Sequence, residues 1–128
     1  MKGSYQIFPD ERLIVFAVEG KPTLEGMRQL FQRFSTDSDY DVSFSGIADL
    51  RKVETNMTRE EVKQLAAEVV EARLSDGIWI ALVESSMTTA LTQIYDRVVR
   101  QQHPLEVCST VERASRLLGR DVSPYVAE

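Results

Sequence analysis

Ile78-Trp79-Ile80-Ala81-Leu82-Val83 is apolar at every position. A strand with one solvated face alternates apolar and polar side chains. An unbroken apolar run this short, set between Gly77 and Glu84-Ser85-Ser86, instead reads as a strand buried on both faces, the pattern of a central parallel strand covered by helices. Trp79 belongs to that core. Just upstream, Thr58-Arg59-Glu60-Glu61 has the spacing of a capping box, in which the threonine accepts from a free helix amide and the glutamate accepts from the cap. Val62, Leu65, Ala66, Val69, Ala72 and Arg73 continue that helix at steps of three and four, and Ser75-Asp76-Gly77 is expected to end it at the glycine. Downstream, Leu91, Ile94, Tyr95, Val98 and Val99 make the stripe of a further helix that stops before Pro104. Leu105 to Cys108 is a short strand. Thr110 caps a last helix bearing Val111, Ala114, Leu117 and Leu118, with Gly119 as its stop and a tail to Glu128 expected to fray.

Toward the N-terminus, Ser4 to Phe8 and Leu13 to Glu19 flank Pro9-Asp10-Glu11-Arg12 and read as a β-hairpin. Lys21-Pro22 ends the second strand, and Thr23 caps a helix carrying Leu24, Met27, Leu30, Phe31 and Phe34. An acidic loop, Asp37-Ser38-Asp39-Tyr40-Asp41, leads to a strand over Ser43 to Leu50 that contains Phe44, Ile47, Ala48 and Leu50 despite Gly46. The order is ββαβαβαβα. The expected fold is α/β: a mixed, mainly parallel sheet of about five strands with about four helices on its faces, with Trp79, Leu82, Leu65, Val69, Ile94 and Leu117 inside.

The chain has 128 residues, 43% of them apolar and 27% charged, which suits one domain over 1–128 with a core that needs no covalent staples. Its 20 acidic and 15 basic residues leave a net charge of −5. That average surface repels nucleic acid and anionic lipid, so neither is an expected partner. One cysteine, Cys108, and one histidine, His103, exclude an internal disulfide and the usual zinc signatures. No window approaches the roughly 18 apolar residues of a membrane span, and Met1-Lys2-Gly3-Ser4-Tyr5 opens no secretory pattern. The expectation is a cytoplasmic protein with no integral membrane association.

The element order and the second half of the chain resemble the SpoIIAA-like or STAS-like proteins, more closely their small bacterial STAS/SEC14-like branch. There a strand like Ile78 to Glu84 leads to a helix of Gly-x-x-Arg-Met-Tyr type, matched here by Ala90-Leu91-Thr92-Gln93-Ile94-Tyr95, in which Tyr95 is the residue in common. The closing strand and helix, of Glu-Ala-x-x-Trp-Leu type, are matched by the run from Val107 to Leu118, with Cys108 in place of an aromatic and Leu117 in place of the tryptophan. The resemblance covers nearly the whole chain and implies a SpoIIAA-like sheet and a regulatory role. Regulatory members carry a phosphorylatable serine after the third strand; Ala48-Asp49-Leu50 resembles the end of that strand, which brings Thr58 near the serine position. Asn56-Met57-Thr58-Arg59-Glu60 lacks the serine motif, and Thr58 is read as a helix cap.

In open parallel sheets ligands settle beyond the carboxyl ends of strands, where helix amides are free. Asp49, Arg51 and Lys52 end one strand; Glu84, Ser85, Ser86, Thr88 and Thr89 follow the next; Ser109 and Thr110 follow the last. Asp49, Arg51, Lys52, Ser85, Ser86 and Thr88 are the candidate ligand residues, and the resemblance implies a nucleotide or a lipid headgroup for them, although capping and solvation explain the same residue types. No Gly-x-Gly-x-x-Gly or Walker pattern occurs, which excludes a Rossmann enzyme. Cys108 is expected to be an inert core thiol, His103 a solvated loop imidazole, and Asp37, Asp39 and Asp41 a surface turn without the glycine and glutamate of a calcium loop. With no acid, base or nucleophile pair to assemble, the expected function is a non-enzymatic regulatory or sensing domain. It needs no cofactor and acts through an unidentified protein partner, with a homodimer expected through the N-terminal hairpin or an adjacent helix. The alternative is a lipid or nucleotide binder with its ligand at the strand ends.

Overall fold

The computed structural model describes residues 1–127. β1 (Lys2–Phe8) and β2 (Leu13–Gly20) pair antiparallel around a 3-10 turn at Pro9–Glu11, closed by Arg12 in the left-handed region at φ 51°. There follow α1 (Leu24–Ser35), β3 (Ser45–Val53), α2 (Arg59–Ala72), β4 (Trp79–Leu82), α3 (Ser86–Val99), β5 (Leu105–Cys108) and α4 (Val111–Leu118). The strands lie in the order β1-β2-β3-β4-β5, and β2 to β5 run parallel. The fold is therefore α/β, with a mixed, mostly parallel five-stranded sheet and four helices.

Every crossover from β2 to β5 steps one strand in the same direction, so right-handed connections set α1, α2 and α3 on one face. α4 and the C-terminal segment take the other. Side-chain parity follows: Ile14, Phe16, Val18, Ala48, Trp79, Ala81 and Val83 face the three helices, while Leu13, Val15, Ile47, Ile80 and Leu82 face Ala114, Val122 and Val126. Both faces of β4 are thus buried, which is what its unbroken apolar sequence requires. Gly46 has a specific reason to lack a side chain. It is the register partner of Trp79, and a Cβ there would stand 2.3 Å from the indole.

Several expectations are corrected. Ile78 lies outside β4 and is 47% exposed, because it shares the parity of Ile80 and Leu82 on the face covered by only one short helix and the tail. Leu117 is half-buried for the same reason, Ala114 being the buried residue of α4. Val98 points to solvent, and α3 packs through Thr88, Thr92, Ile94, Asp96 and Val99. α2 ends not at a glycine but at Arg73, whose left-handed backbone (φ 51°) donates its N–H to Val69 and Val70. Gly77 serves close approach instead, since a Cβ there would lie 2.1 Å from the Phe44 carbonyl oxygen. The tail does not fray as far as it is described: Val122 and Val126 are buried, and the Tyr125 ring sits 4.7 Å from that of Phe8. Glu128 lies outside the described residues.

Candidate functional site

Between the sheet and the three crossover helices lies a cavity of about 140 Å³. Its origin can be read from the register. On the helix-facing side, Phe16, Ala48 and Ala81 stand side by side on β2, β3 and β4, so the two central strands put single methyl groups where the sheet is widest. The helices cannot descend into this hollow because large rings hold them off. Phe16 and Trp79 are 5.7 Å apart, Phe34 and Trp79 6.1 Å, and Phe16 stacks on Phe34 at 5.9 Å. Leu65 and Val69 of α2 and Leu91 of α3 complete an almost wholly apolar lining. Interiors normally close voids larger than a water molecule, so a hollow of this size in a domain this small is a feature to explain.

The lining differs at its two ends. At the carboxyl ends of the strands are Pro22, Val53, Thr55, Asn56, Met57 and Thr88, where the exposed segment 54–56 crosses the gap. Thr55 Oγ1 lies 3.2 Å from Thr88 Oγ1, and Asn56 Nδ2 donates to the Pro22 carbonyl at 3.5 Å. At the opposite end, Tyr40, Ser75, Tyr95 and His103 bring polar atoms into an apolar interior. Two are already used, as are the neighbouring Trp79 and Thr92. Tyr40 Oη donates to the Leu74 carbonyl (2.7 Å), Trp79 Nε1 donates to Ser75 Oγ (2.8 Å), and Thr92 Oγ1 donates to the Thr88 carbonyl (2.7 Å). Two are not. Tyr95 Oη makes no hydrogen bond among the described residues, and His103 Nδ1 is buried without a partner.

The electrostatics keep this end neutral. Burial pushes the Tyr40 phenol up to about 12. Burial also pushes the Tyr95 phenol up, with the neighbouring Tyr40 adding to the effect. Tyr95 is half-buried and lines the cavity. Burial pushes the His103 imidazole down, against the opposing pull of Asp96. A proton on His103, or a phenolate at either tyrosine, is therefore disfavoured by the same loss of water. His103 is a correction to the expected solvated loop residue: it is 3% exposed, because the turn after α3 folds back with its N–H donated to the Val99 carbonyl (3.0 Å). The ring then lies between Trp79 and Tyr95.

The six candidates from the strand ends do not converge. Asp49 and Arg51 pair through two hydrogen bonds of 2.9 and 2.8 Å on the α4 face, where Arg51 also donates to the Ala127 carbonyl at 2.6 Å. Burial alone would raise the Asp49 carboxyl, but the Arg51 bonds outweigh it and hold the group low. The pair fastens the tail to the sheet. Lys52 is exposed and lies 3.4 Å from Glu19. Ser85 is the N-cap of α3, accepting from the Thr88 amide, and Ser86 is exposed. Of the six, Thr88 alone lines the cavity.

Thr58 forms both halves of its capping box with Glu61, at 3.1 and 2.9 Å. Cys108 is buried in β5, where burial pushes its thiol up. Asp37 and Asp41 accept from the amides of Asp39 and Ser43, the turn chemistry expected of them. Among the described residues no three His, Cys, Asp or Glu side chains are grouped to hold a metal ion, and no helix is long and apolar enough to cross a membrane.

The reading of the sequence did not single out Tyr40, Tyr95, His103, Ala48 or Ala81 as a site. A signal was there for the floor: the helix-facing positions of the two central strands include Ala48 and Ala81, small residues where a closed core calls for large ones. The chain matches no protein-family model, and no curated protein matches it.

Proposed function

We propose that this is a non-enzymatic sensing domain of SpoIIAA-like architecture that encloses a small apolar molecule between its sheet and its three crossover helices. The observation that carries this reading is the cavity of about 140 Å³ over Ala48 and Ala81, close in size to an engineered apolar cavity of roughly 150 Å³ that stays dry and binds benzene. Its position alters the earlier alternative. The ligand sits inside the helical layer and not in the strand-end crevice, and the apolar lining offers nothing to the phosphates of a nucleotide. Occupancy would be felt at segment 54–56, where the side-chain bonds from Thr55 and Asn56 form the gate, and a protein partner reading that segment would complete a regulatory role. Neutral tyrosines and a neutral histidine support binding over acid–base chemistry, and no cofactor is called for. We place the protein in the cytoplasm on the same reading.

The test uses Trp79, the single tryptophan, which lines the cavity. Benzene titrated into the protein should change its fluorescence saturably and raise the melting temperature. No response up to the aqueous solubility of benzene would remove the reading. A second copy pairing at β1 is supported by that strand's place at the edge of the sheet, with an unpaired row of backbone groups. Sedimentation showing only monomer at high micromolar concentration would exclude it.

A further inference from the structure

Resting on the cavity reading, we infer that the ligand is an uncharged single-ring compound bearing one neutral oxygen, phenol being the simplest, and that this oxygen bonds the Tyr95 hydroxyl at the inner end. Four observations converge. Size comes first: a hollow of about 140 Å³ takes one ring and a substituent, whereas a membrane-lipid acyl chain or a nucleotide overfills it. Shape comes second. Phe16, Phe34 and Trp79 stand within 6.1 Å of one another and present faces and edges to the space, and aromatic rings prefer such offset and edge-on neighbours.

Charge comes third. Among the described residues no Lys, Arg, Asp or Glu lines the cavity, so a carboxylate, phosphate or ammonium would give up its water with no counter-charge in return. The fourth observation is the location of the free polar group. Tyr40, Ser75, Trp79 and Thr92 have their hydrogen bonds satisfied by protein atoms, while the Tyr95 hydroxyl, which both donates and accepts, has none among the described residues. A tyrosine that only filled space would be served as well by phenylalanine. The buried, unpartnered His103 Nδ1 at the same end offers no charge that would alter the choice.

The experiment compares phenol, benzene and benzoate as probes of the full chain, read by Trp79 fluorescence excited at the red edge of indole absorption and by calorimetry. Tyr95→Phe should weaken phenol by roughly threefold to tenfold, the worth of one hydrogen bond, and leave benzene unchanged. Benzoate should not bind. In the unmodified protein labelled with carbon-13 at tyrosine Cζ, phenol should shift the Tyr95 signal further downfield than benzene, whose effect is that of its ring current alone, and equal shifts would refute the bond even if the variant does not fold. If phenol and benzene respond alike to Tyr95→Phe, or if benzoate binds as well as phenol, the inference falls while the cavity reading stands. If neither phenol nor benzene binds, the cavity reading falls as well.

Discussion

Ala81→Val puts two more carbons into the hollow from its floor. Ala81 is 1% exposed, faces the helices and stands next to Ala48 in register, with open space above both. At about 0.8 kcal/mol for each buried carbon, the substitution should stabilise the protein by about 1.6 kcal/mol if the space accepts it without strain. A chain of 128 residues unfolds with an entropy of about 0.27 kcal/mol per kelvin, so the melting temperature should rise by about 6 °C. Valine also favours strands, which adds to the same sign. The ligand response separates the two contributions, because a filled floor should reduce the benzene-induced rise in melting temperature and strand preference should not. Ala66→Leu is the control: Ala66 is fully buried on the same side of the sheet but does not line the cavity, and overpacking there should cost about 1–3 kcal/mol. Calorimetric melts of the three proteins, with and without benzene, provide the measurement. Should Ala81→Val destabilise as much as Ala66→Leu, the hollow does not exist in solution and the reasoning built on it fails.

Thr58→Ala should lose about 0.5–2 kcal/mol through the missing cap, and Thr58→Ser should be nearly neutral; an unchanged melt for the alanine variant, together with phosphothreonine at this position in protein from its native host, would favour a switch instead. His103 gives a pH dependence of definite sign. Burial holds its folded value below the ordinary one of about 6.5, so the unfolded chain binds a proton that the folded chain declines, and its contribution is present above about pH 6.5 and lost as pH falls through the window beneath. Asp37, Asp41 and Glu68, held low by hydrogen bonds from the Asp39 amide, Ser43 and Arg28, act with the same sign at more acidic pH, so His103→Gln should flatten the melting profile only in the upper window; an identical slope in the variant contradicts this. Gly77→Ala should cost about 1–3 kcal/mol or more by chemical denaturation, since the new methyl group meets the Phe44 carbonyl oxygen and backbone must move; a neutral result would mean that the α2–β4 turn is loose.

Element types were legible because local chemistry and burial agree along most of this chain. The run from Ile78 to Val83 demands two covered faces, and Thr23, Thr58 and Thr110 all cap helices as their spacing implies. Boundaries and faces were less legible. Whether Ile78 or Leu117 is covered depends on how many helices reach one side of the sheet, and that follows from strand order and crossover direction, which periodicity does not carry. Gly46 and Gly77 look alike as sequence punctuation. One makes room for an indole on the next strand, and the other for a carbonyl of a distant loop.

The strand-end candidates are not gathered at one place for a related reason: in a strand, Asp49 and Arg51 share one face and Ala48 and Leu50 the other, so residues of one strand end can lie on opposite sides of the sheet. His103 was misread because a histidine before a proline is commonly at the surface, and nothing local signals that this turn folds inward. Tyr95 stood out in the resemblance to the STAS-like branch, but its unsatisfied hydroxyl becomes visible only when the neighbours that satisfy Tyr40 and Trp79 are in place.

The hollow and a sensing role fit one energetic argument. At about 24 cal/mol for each Å³ of unfilled space, a fully enclosed void of about 140 Å³ would destabilise the empty protein by about 3 kcal/mol, an upper bound for a hollow that opens beside segment 54–56 and still a large share of the stability of an ordinary small domain. A ligand present at a hundred times its dissociation constant returns about 2.7 kcal/mol, which is comparable. Filling therefore changes stability most where the layers are weakly joined, and this chain joins them unevenly. Arg28 and Glu68 tie α1 to α2 through two hydrogen bonds of 2.7 and 2.6 Å, whereas segment 54–56, held to β2 by the Glu54 N–H on the Gly20 carbonyl at 2.8 Å, meets α3 and the β2–α1 loop only through single side-chain contacts of 3.2 and 3.5 Å. The helices should thus respond to the ligand as one joined roof, and the adjustment should fall on Thr55 and Asn56. Amide exchange resolved by residue, measured with and without benzene, should show its greatest slowing in this segment; slowing spread evenly over α1, α2 and segment 54–56 would mean that the ligand only adds stability and signals nothing.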